Sequence, residues 1–254
     1  MRRYTLHRFY RLALSCLLGV TITGCAALTS QAQTLTQASD LEAQVLQIIR
    51  DNPEVILESL QEYQRAQQEQ QRQAQRQVLE RMTADVDQFI GQSPTLGATD
   101  RKIVLVEFSD FQCPFCAQAH NVLKTFMEQQ GDRVTLVYKH FPLTEIHPEA
   151  LPAATASWAA QQQGQYWAFH DALFAQQQAL GEERYGEIAR SLGLDMAKFN
   201  RDRTSPEALT AVNQDRALAI QLGLRGTPSL FLNGRPIELP LTVEKLEALI
   251  ADRP

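Results

Sequence analysis

The sequence predicts an α/β fold preceded by a long helical stalk, and three observations carry that reading. Ile103-Val104-Leu105-Val106-Glu107-Phe108 is a short, nearly continuous apolar run rich in β-branched side chains, the pattern of a strand covered on both faces. Ala117 to Gln130 places Val122, Leu123, Phe126 and Met127 at helical spacing and stops at Gly131, which reads as a helix with a glycine cap. Between Pro53 and about Ile90 no glycine or proline interrupts the chain, so one helix of that length would reach on the order of 55 Å at roughly 1.5 Å per residue.

The amino terminus reads as an export signal. Arg2, Arg3, Arg8 and Arg11 precede Leu12 to Ile22, an apolar run too short to span a bilayer but the length of a signal-peptide core. Ile22-Thr23-Gly24-Cys25 is similar to the lipobox of bacterial lipoproteins, which makes residues 1–24 the signal and Cys25 the acylated first residue and membrane anchor. The other reading is an ordinary signal peptide cut near Ala32, without acylation at Cys25. Cysteine arithmetic favours the lipoprotein: Cys16 leaves with the signal, Cys25 is capped, and Cys113 and Cys116 remain as a pair. Losing residues 1–24 leaves 20 basic against 29 acidic side chains, a formal −9, and an acidic chain argues against a nucleic-acid partner.

Residues 25–40, rich in Thr, Gln, Ser and Ala, read as a flexible tether, and residues 41–92 as the stalk. Leu41, Val45, Ile48 and Ile49 share one helical face. Asn52-Pro53-Glu54 then restarts the helix, with Asn as N-cap and Pro at the first helical position. The apolar positions Ile56, Leu57, Leu60 and Tyr63, and then Val78, Leu79, Met82, Val86 and Phe89, flank a glutamine-rich middle. Such a helix needs a cover for its apolar ends, so homo-oligomerisation within residues 41–90, chiefly 41–65, is expected. The alternative is that these ends fold back on the following domain.

Residues 93–254 form the second domain. Ser93-Pro94 and Leu96-Gly97 mark a break before the first strand, Val134 to Lys139 reads as the next strand, and 148–223 reads as helical. Its helices are Ala150–Gln163, Tyr166–Ala179, Glu182–Leu192 and Pro206–Leu222, with Trp158, Tyr166, Trp167, Phe169 and Phe174 as their core. Ser229 to Leu232, the turn Asn233-Gly234 and Pro236 to Leu239 make a hairpin, and Thr242 caps a last helix, Val243–Ala251.

Cys113-Pro114-Phe115-Cys116 sits at a strand-to-helix junction. There the unpaired N–H groups and positive end of the helix favour thiolate over thiol, which makes Cys113 the attacking sulfur. Cys116, one turn along, is placed to displace whatever Cys113 captures. Half of a zinc site and a purely structural disulfide are the alternatives. Zinc lacks further ligands at suitable spacing, with His120 the next and no second cysteine pair, and a bridge across so small a loop restrains the unfolded chain little. Glu107, a carboxyl in an apolar strand, is expected to be buried with a raised pKa and to accept the Cys116 proton, unless it lies exposed at a sheet edge. His140 reads either as lining the site or as structural, and His120, His147 and His170 as helix-end or surface residues. No group of histidines and acids has metal-ligand spacing, so no metal and no cofactor are expected.

Val106 to Cys116 resembles the active-site segment of DsbA-like thiol–disulfide oxidoreductases, a branch of the thioredoxin-like superfamily, and Gly226-Thr227-Pro228-Ser229-Leu230-Phe231-Leu232-Asn233-Gly234 resembles their cis-proline signature. The resemblance implies a thioredoxin-like core with a helical insert. It further implies catalysis by Cys113 and Cys116, a buried acid at Glu107, and substrate contacts at Pro114, Phe115, Thr227 and Pro228. Its substrates would be exported proteins with thiols or disulfides, in the periplasm or cell envelope, with a membrane redox partner. Phe115 stands where strong oxidases of the family carry histidine, so a less oxidising pair is expected. Asn52 to Leu57 is similar to the amino-terminal segment of the suppressor-of-copper-sensitivity C proteins, a trimeric isomerase-like group. Metal handling by the dithiol, copper or zinc, is the alternative function.

Overall fold

A computed structural model describes residues 40–251; the segment read as a signal, Cys16, Cys25 and the expected tether up to residue 39 lie outside them. The chain divides into two compact units, Met1–Gln67 and Gln68–Pro254. In the first, helix α1 (residues 40–51) is followed by the start of α2 (Pro53–Ala84). Asn52 stands between the two helices: its carbonyl accepts from Val55 N, and its side-chain amide donates to Ile48 O at 2.8 Å and so closes α1. Leu41, Ile48, Val55, Leu57, Leu60 and Tyr63 are all at least half exposed.

In the second unit the sheet order is β1-β3-β2-β4-β5, with β1 (Thr95–Gly97), β2 (Ile103–Ser109), β3 (Val134–His140), β4 (Ser229–Leu232) and β5 (Arg235–Ile237). β2 runs parallel to β3, and β4 antiparallel to β2. β2 and β3 are buried along their whole length, as their unbroken apolar runs require. Strand β1 is not legible from its sequence, because only three residues pair. Gly97 makes that pairing possible, since a Cβ there would lie 2.3 Å from Val134 O and φ is +94°. The hairpin turn is as expected, with positive φ at Asn233 and Gly234. Asn233 also pins the start of β2, accepting from Val104 N at 2.7 Å and donating to Lys102 O at 3.0 Å.

Helix α4 (Pro114–Gln130) follows β2. Its closing residue Gly131 is right-handed, with φ −66°, so it is not the left-handed cap the sequence predicts. A Cβ at Gly131 would sit 2.5 Å from Met127 O, and close packing accounts for the glycine. Between β3 and β4 lie α5 (Ala150–Gln161), α6 (Tyr166–Ala175), α7 (Glu182–Ser191), α8 (Met196–Arg203) and α9 (Pro206–Gln221), and α10 (Val243–Ile250) ends the chain. α8 is an addition to the helices expected, started by Asp195, whose carboxylate accepts from Ala197 N and Lys198 N. α5 buries almost only alanines, which lets neighbouring helices approach closely. Tyr166, Phe169 and Phe174 are buried, whereas Trp158 and Trp167 are only partly so.

The long helix does not continue to Ile90. Asp85 leaves helical geometry and accepts from Gln88 N, starting a separate α3 (Val86–Ile90). Val78, Met82, Phe89 and Ile90 are buried against Val104, Phe108, Leu222 and Phe231, so this apolar end is covered within its own unit. Gln71 and Gln75 donate to the last carbonyls of α9, Ile220 O, Gln221 O and Leu222 O, at 3.0–3.1 Å.

Lys139 anchors α3. Its ammonium donates to Phe89 O and Ile90 O and pairs with Asp215 at 3.1 Å, while Asp215 also accepts from His140 N. Both side chains are at least 90% buried. Asp215→Asn keeps the shape and strands a buried cation, so it should lower unfolding free energy by about 3 kcal/mol in urea titration. A loss within experimental error would show the pair to be solvated.

Candidate active site

Cys113 occupies the N-cap of α4 with extended backbone geometry, and Pro114 fills the first helical position, where no donor is lost. The thiol is 4% exposed and donates to Thr227 O at 3.3 Å. Thr227-Pro228 is a cis peptide, as the second motif implies, and Pro228 is buried. A hydrogen bond from the Cys116 thiol, joined by Thr227 and by the backbone N–H groups of Cys116 and Phe115, holds the Cys113 thiol down at about 5; burial opposes them. Cys116 is fully buried. Burial first, and then its bond to Cys113 and the charge of Glu107, push its thiol far up. The two sulfurs are thus driven apart: one ionised at neutral pH, one a protonated reserve.

Glu107 is 1% exposed on the central strand β2, paired with Tyr138 on β3 and Leu230 on β4. Burial raises its carboxyl to about 7, with the nearby Ser109 hydroxyl opposing and the charge of Cys113 adding. One of its oxygens has no hydrogen-bond partner among the described residues. The edge-exposed alternative is therefore excluded by position. Ser109, two residues on, shares the face of Glu107, and its hydroxyl bears on both Glu107 and Cys116.

Several residues that position the motif are absent from the sequence reading. Asp110 is buried and accepts from Gln112 N, Leu143 N and His147 Nδ1 at 2.8–2.9 Å. Gln112 Oε1 accepts from Glu149 N, and Gln177 Nε2 donates to both Phe111 O and Cys113 O at 2.9 Å. The Asx turn at Asp110 has a local signal in its spacing to Gln112; the Gln177 contact, 64 residues away, has none. Around the motif Phe115 is 64% exposed and Pro114 is exposed, so both face incoming chains.

The structure places His140 as a structural residue and moves His170 away from its expected surface position. His140 is buried in ring contact with Phe111, Tyr138 and Tyr166, and burial lowers its pKa to about 3. His170 is 4% exposed, not a surface residue, and His147 pairs with Asp110. In three dimensions His120 on α4 meets His170 and Asp171 on α6, a grouping that spacing along the sequence does not show. Linear spacing misses the group because its members lie about fifty residues apart on two helices.

A thioredoxin family profile matches residues 90–252. The sodium/proton antiporter NhaA 3 of Salinispora tropica is 34% identical over 154 residues, 61% of this chain and 24% of that protein. The chain thus spans about a quarter of the length of the curated relatives it matches, and none of its described helices is long and apolar enough to cross a membrane. A thioredoxin-like oxidoreductase from Silicibacter pomeroyi DSS-3 superposes with TM-score 0.57 at 30% identity, covering 65% of this chain and 95% of that one. The thiol-disulfide exchange protein alpha-DsbA2 of Wolbachia pipientis (TM-score 0.61, 20% identity, 70% and 96%) shares the fold. So does ScsC of Proteus mirabilis in a transitional conformation (0.60, 23%, 85% and 96%). With an ionisable cysteine at a helix start, a buried partner sulfur and a cis-proline beside them, the chain belongs to the thioredoxin family and has the fold of its DsbA-like thiol–disulfide oxidoreductases.

Proposed function

We propose that this chain exchanges disulfides with exported proteins in the bacterial cell envelope. The observation that carries the reading is the opposed ionisation of two adjacent sulfurs, Cys113 held low and Cys116 held high. The Cys113 thiolate attacks a substrate disulfide, forming a Cys113–substrate bond and releasing one substrate sulfur as thiolate. Cys116 then gives its proton to Glu107 and attacks Cys113 Sγ. The second substrate sulfur leaves, Cys113 and Cys116 are joined, and the substrate has gained two electrons. Run backwards, the same steps oxidise a substrate dithiol. Thr227, beside Cys113, offers backbone groups to an extended substrate chain, a mode that tolerates many sequences.

The signal-like residues 1–24 and Cys25 support export and a lipid anchor. A membrane redox partner would reset the pair. The exposed apolar residues of 41–65 support a stalk-joined homo-oligomer, and an oligomer kept reduced acts as an isomerase. Because Val78, Met82 and Phe89 are core residues, the informative truncation starts at Gln68 rather than beyond Ile90. In sedimentation and in refolding of scrambled ribonuclease, the full chain should be oligomeric and active. The chain from Gln68 should be monomeric, reduce small disulfides equally well, and isomerise several-fold more slowly. Identical mass and isomerase rates would refute the stalk's part, and no exchange by either chain would refute the activity.

A further inference from the structure

We infer that His120, His170 and Asp171 form a divalent transition-metal site of zinc type, separate from the Cys113/Cys116 dithiol. One ligand atom from each lies within 4.8 Å of the others. His170 Nδ1 stands 3.0 Å and His120 Nε2 4.0 Å from Asp171 Oδ1. Around zinc, with bonds near 2.0–2.1 Å, tetrahedral donors stand about 3.3 Å apart. The remaining edge, His120 to His170, is at most 4.8 Å, so closing the triangle takes movements of about 0.7 to 1.5 Å, shared between the His120 side chain and a carboxylate that is 40% exposed.

The donor chemistry fits. A metal needs a neutral imidazole, and both rings are largely buried, which disfavours the charged form. Two imidazoles and one carboxylate suit zinc and leave a fourth position for water. Asp171 presents one oxygen to the histidines, while its Oδ2 is held by Lys124 Nζ at 3.1 Å, which orients the carboxylate and balances its charge. His170 is nine-tenths buried and its Nε2 has no hydrogen-bond partner among the described residues. Its ring contacts Tyr138 and Tyr166, whose hydroxyls also lack partners. Without an ion Nδ1 carries the proton it shares with Asp171; metal on Nδ1 moves that proton to Nε2, where no described group competes for it. A cleft of about 400 Å³ lined by Leu96, Gly97, Met127, Leu136 and Trp167 borders the three residues and gives an ion a way in. The ligands come from α4 and α6, so a bound ion would tie the helix carrying Cys116 to the insert.

The test uses the full chain with Cys113 and Cys116 joined as a disulfide, so that the dithiol is out of play. Zinc is titrated in competition with a chromophoric chelator, and cobalt(II) serves as the spectroscopic probe. One zinc per chain is expected, with a tetrahedral cobalt spectrum lacking a thiolate charge-transfer band. Affinity should fall at least tenfold in His120→Ala and in Asp171→Asn, and stay unchanged in a Cys113→Ser, Cys116→Ser double variant. Asp171 is exposed enough for its variant to fold if His120→Ala does not. Absence of zinc binding, equal affinity in Asp171→Asn, or loss of binding in the double cysteine variant would overturn the site. None of these outcomes depends on disulfide exchange activity.

Discussion

Replacing Cys113 by alanine should abolish exchange, whereas Cys116→Ala should leave the protein able to attack but unable to let go. The physical difference lies in which sulfur is ionised. Cys113 carries the charge at neutral pH, and Cys116 is too buried to do so without a base. Insulin reduction should drop at least about 1000-fold in Cys113→Ala, the scale expected when an essential nucleophile is removed. Cys116→Ala should accumulate a Cys113–substrate mixed disulfide, visible by intact mass after acid quenching. Accumulation of that adduct in Cys113→Ala instead would reverse the assignment.

Glu107 gives the second large effect, in two independent readouts. Its carboxyl titrates at about 7 folded and near 4.5 unfolded. Between those values the folded chain binds more protons, so stability is greatest below about pH 4.5 and falls as pH rises through 7. The full swing is about 3 kcal/mol, at 1.36 kcal/mol per pKa unit. Glu107→Gln should remove that part of the pH dependence and raise stability at pH 8. It should also slow release of glutathione from the Cys113 mixed disulfide about 100-fold, as expected for loss of a proton acceptor. A variant that unfolds with the parent's pH slope and releases glutathione at the parent's rate would remove Glu107 from the site.

What the sequence makes legible follows from how local the physics is. The Cys-Pro-Phe-Cys junction, the Asn233-Gly234 turn and the buried β2 run are set by neighbours within a few residues, and each appears where pattern alone puts it. Glu107 stands out because a charge in an apolar run is costly. The misses depend on distance or on brevity. β1 is three residues long and defined by pairing with β3. Asp85 breaks the long helix with neither glycine nor proline, using only a side-chain cap. Gln177 reaches the motif from after α6, and His120, His170 and Asp171 meet only through the packing of α4 on α6. The stalk shows the same division: periodicity finds its apolar positions, but contacts decide that Val78 and Met82 belong to the core.

The central claim, that a helix end and its neighbours keep Cys113 ionised, is tested by its rate of reaction with a small disulfide from pH 4 to 9. At pH 5 about half of Cys113 is thiolate, against about 0.03% of free cysteine with a pKa near 8.5. A lower pKa also makes a weaker nucleophile, by about 40-fold here, so the net advantage at pH 5 is about 40-fold and nearly vanishes at pH 7. The account predicts a rate that rises to a plateau with a midpoint near 5. A rate still climbing through pH 8, with no advantage over free cysteine in acid, would contradict it.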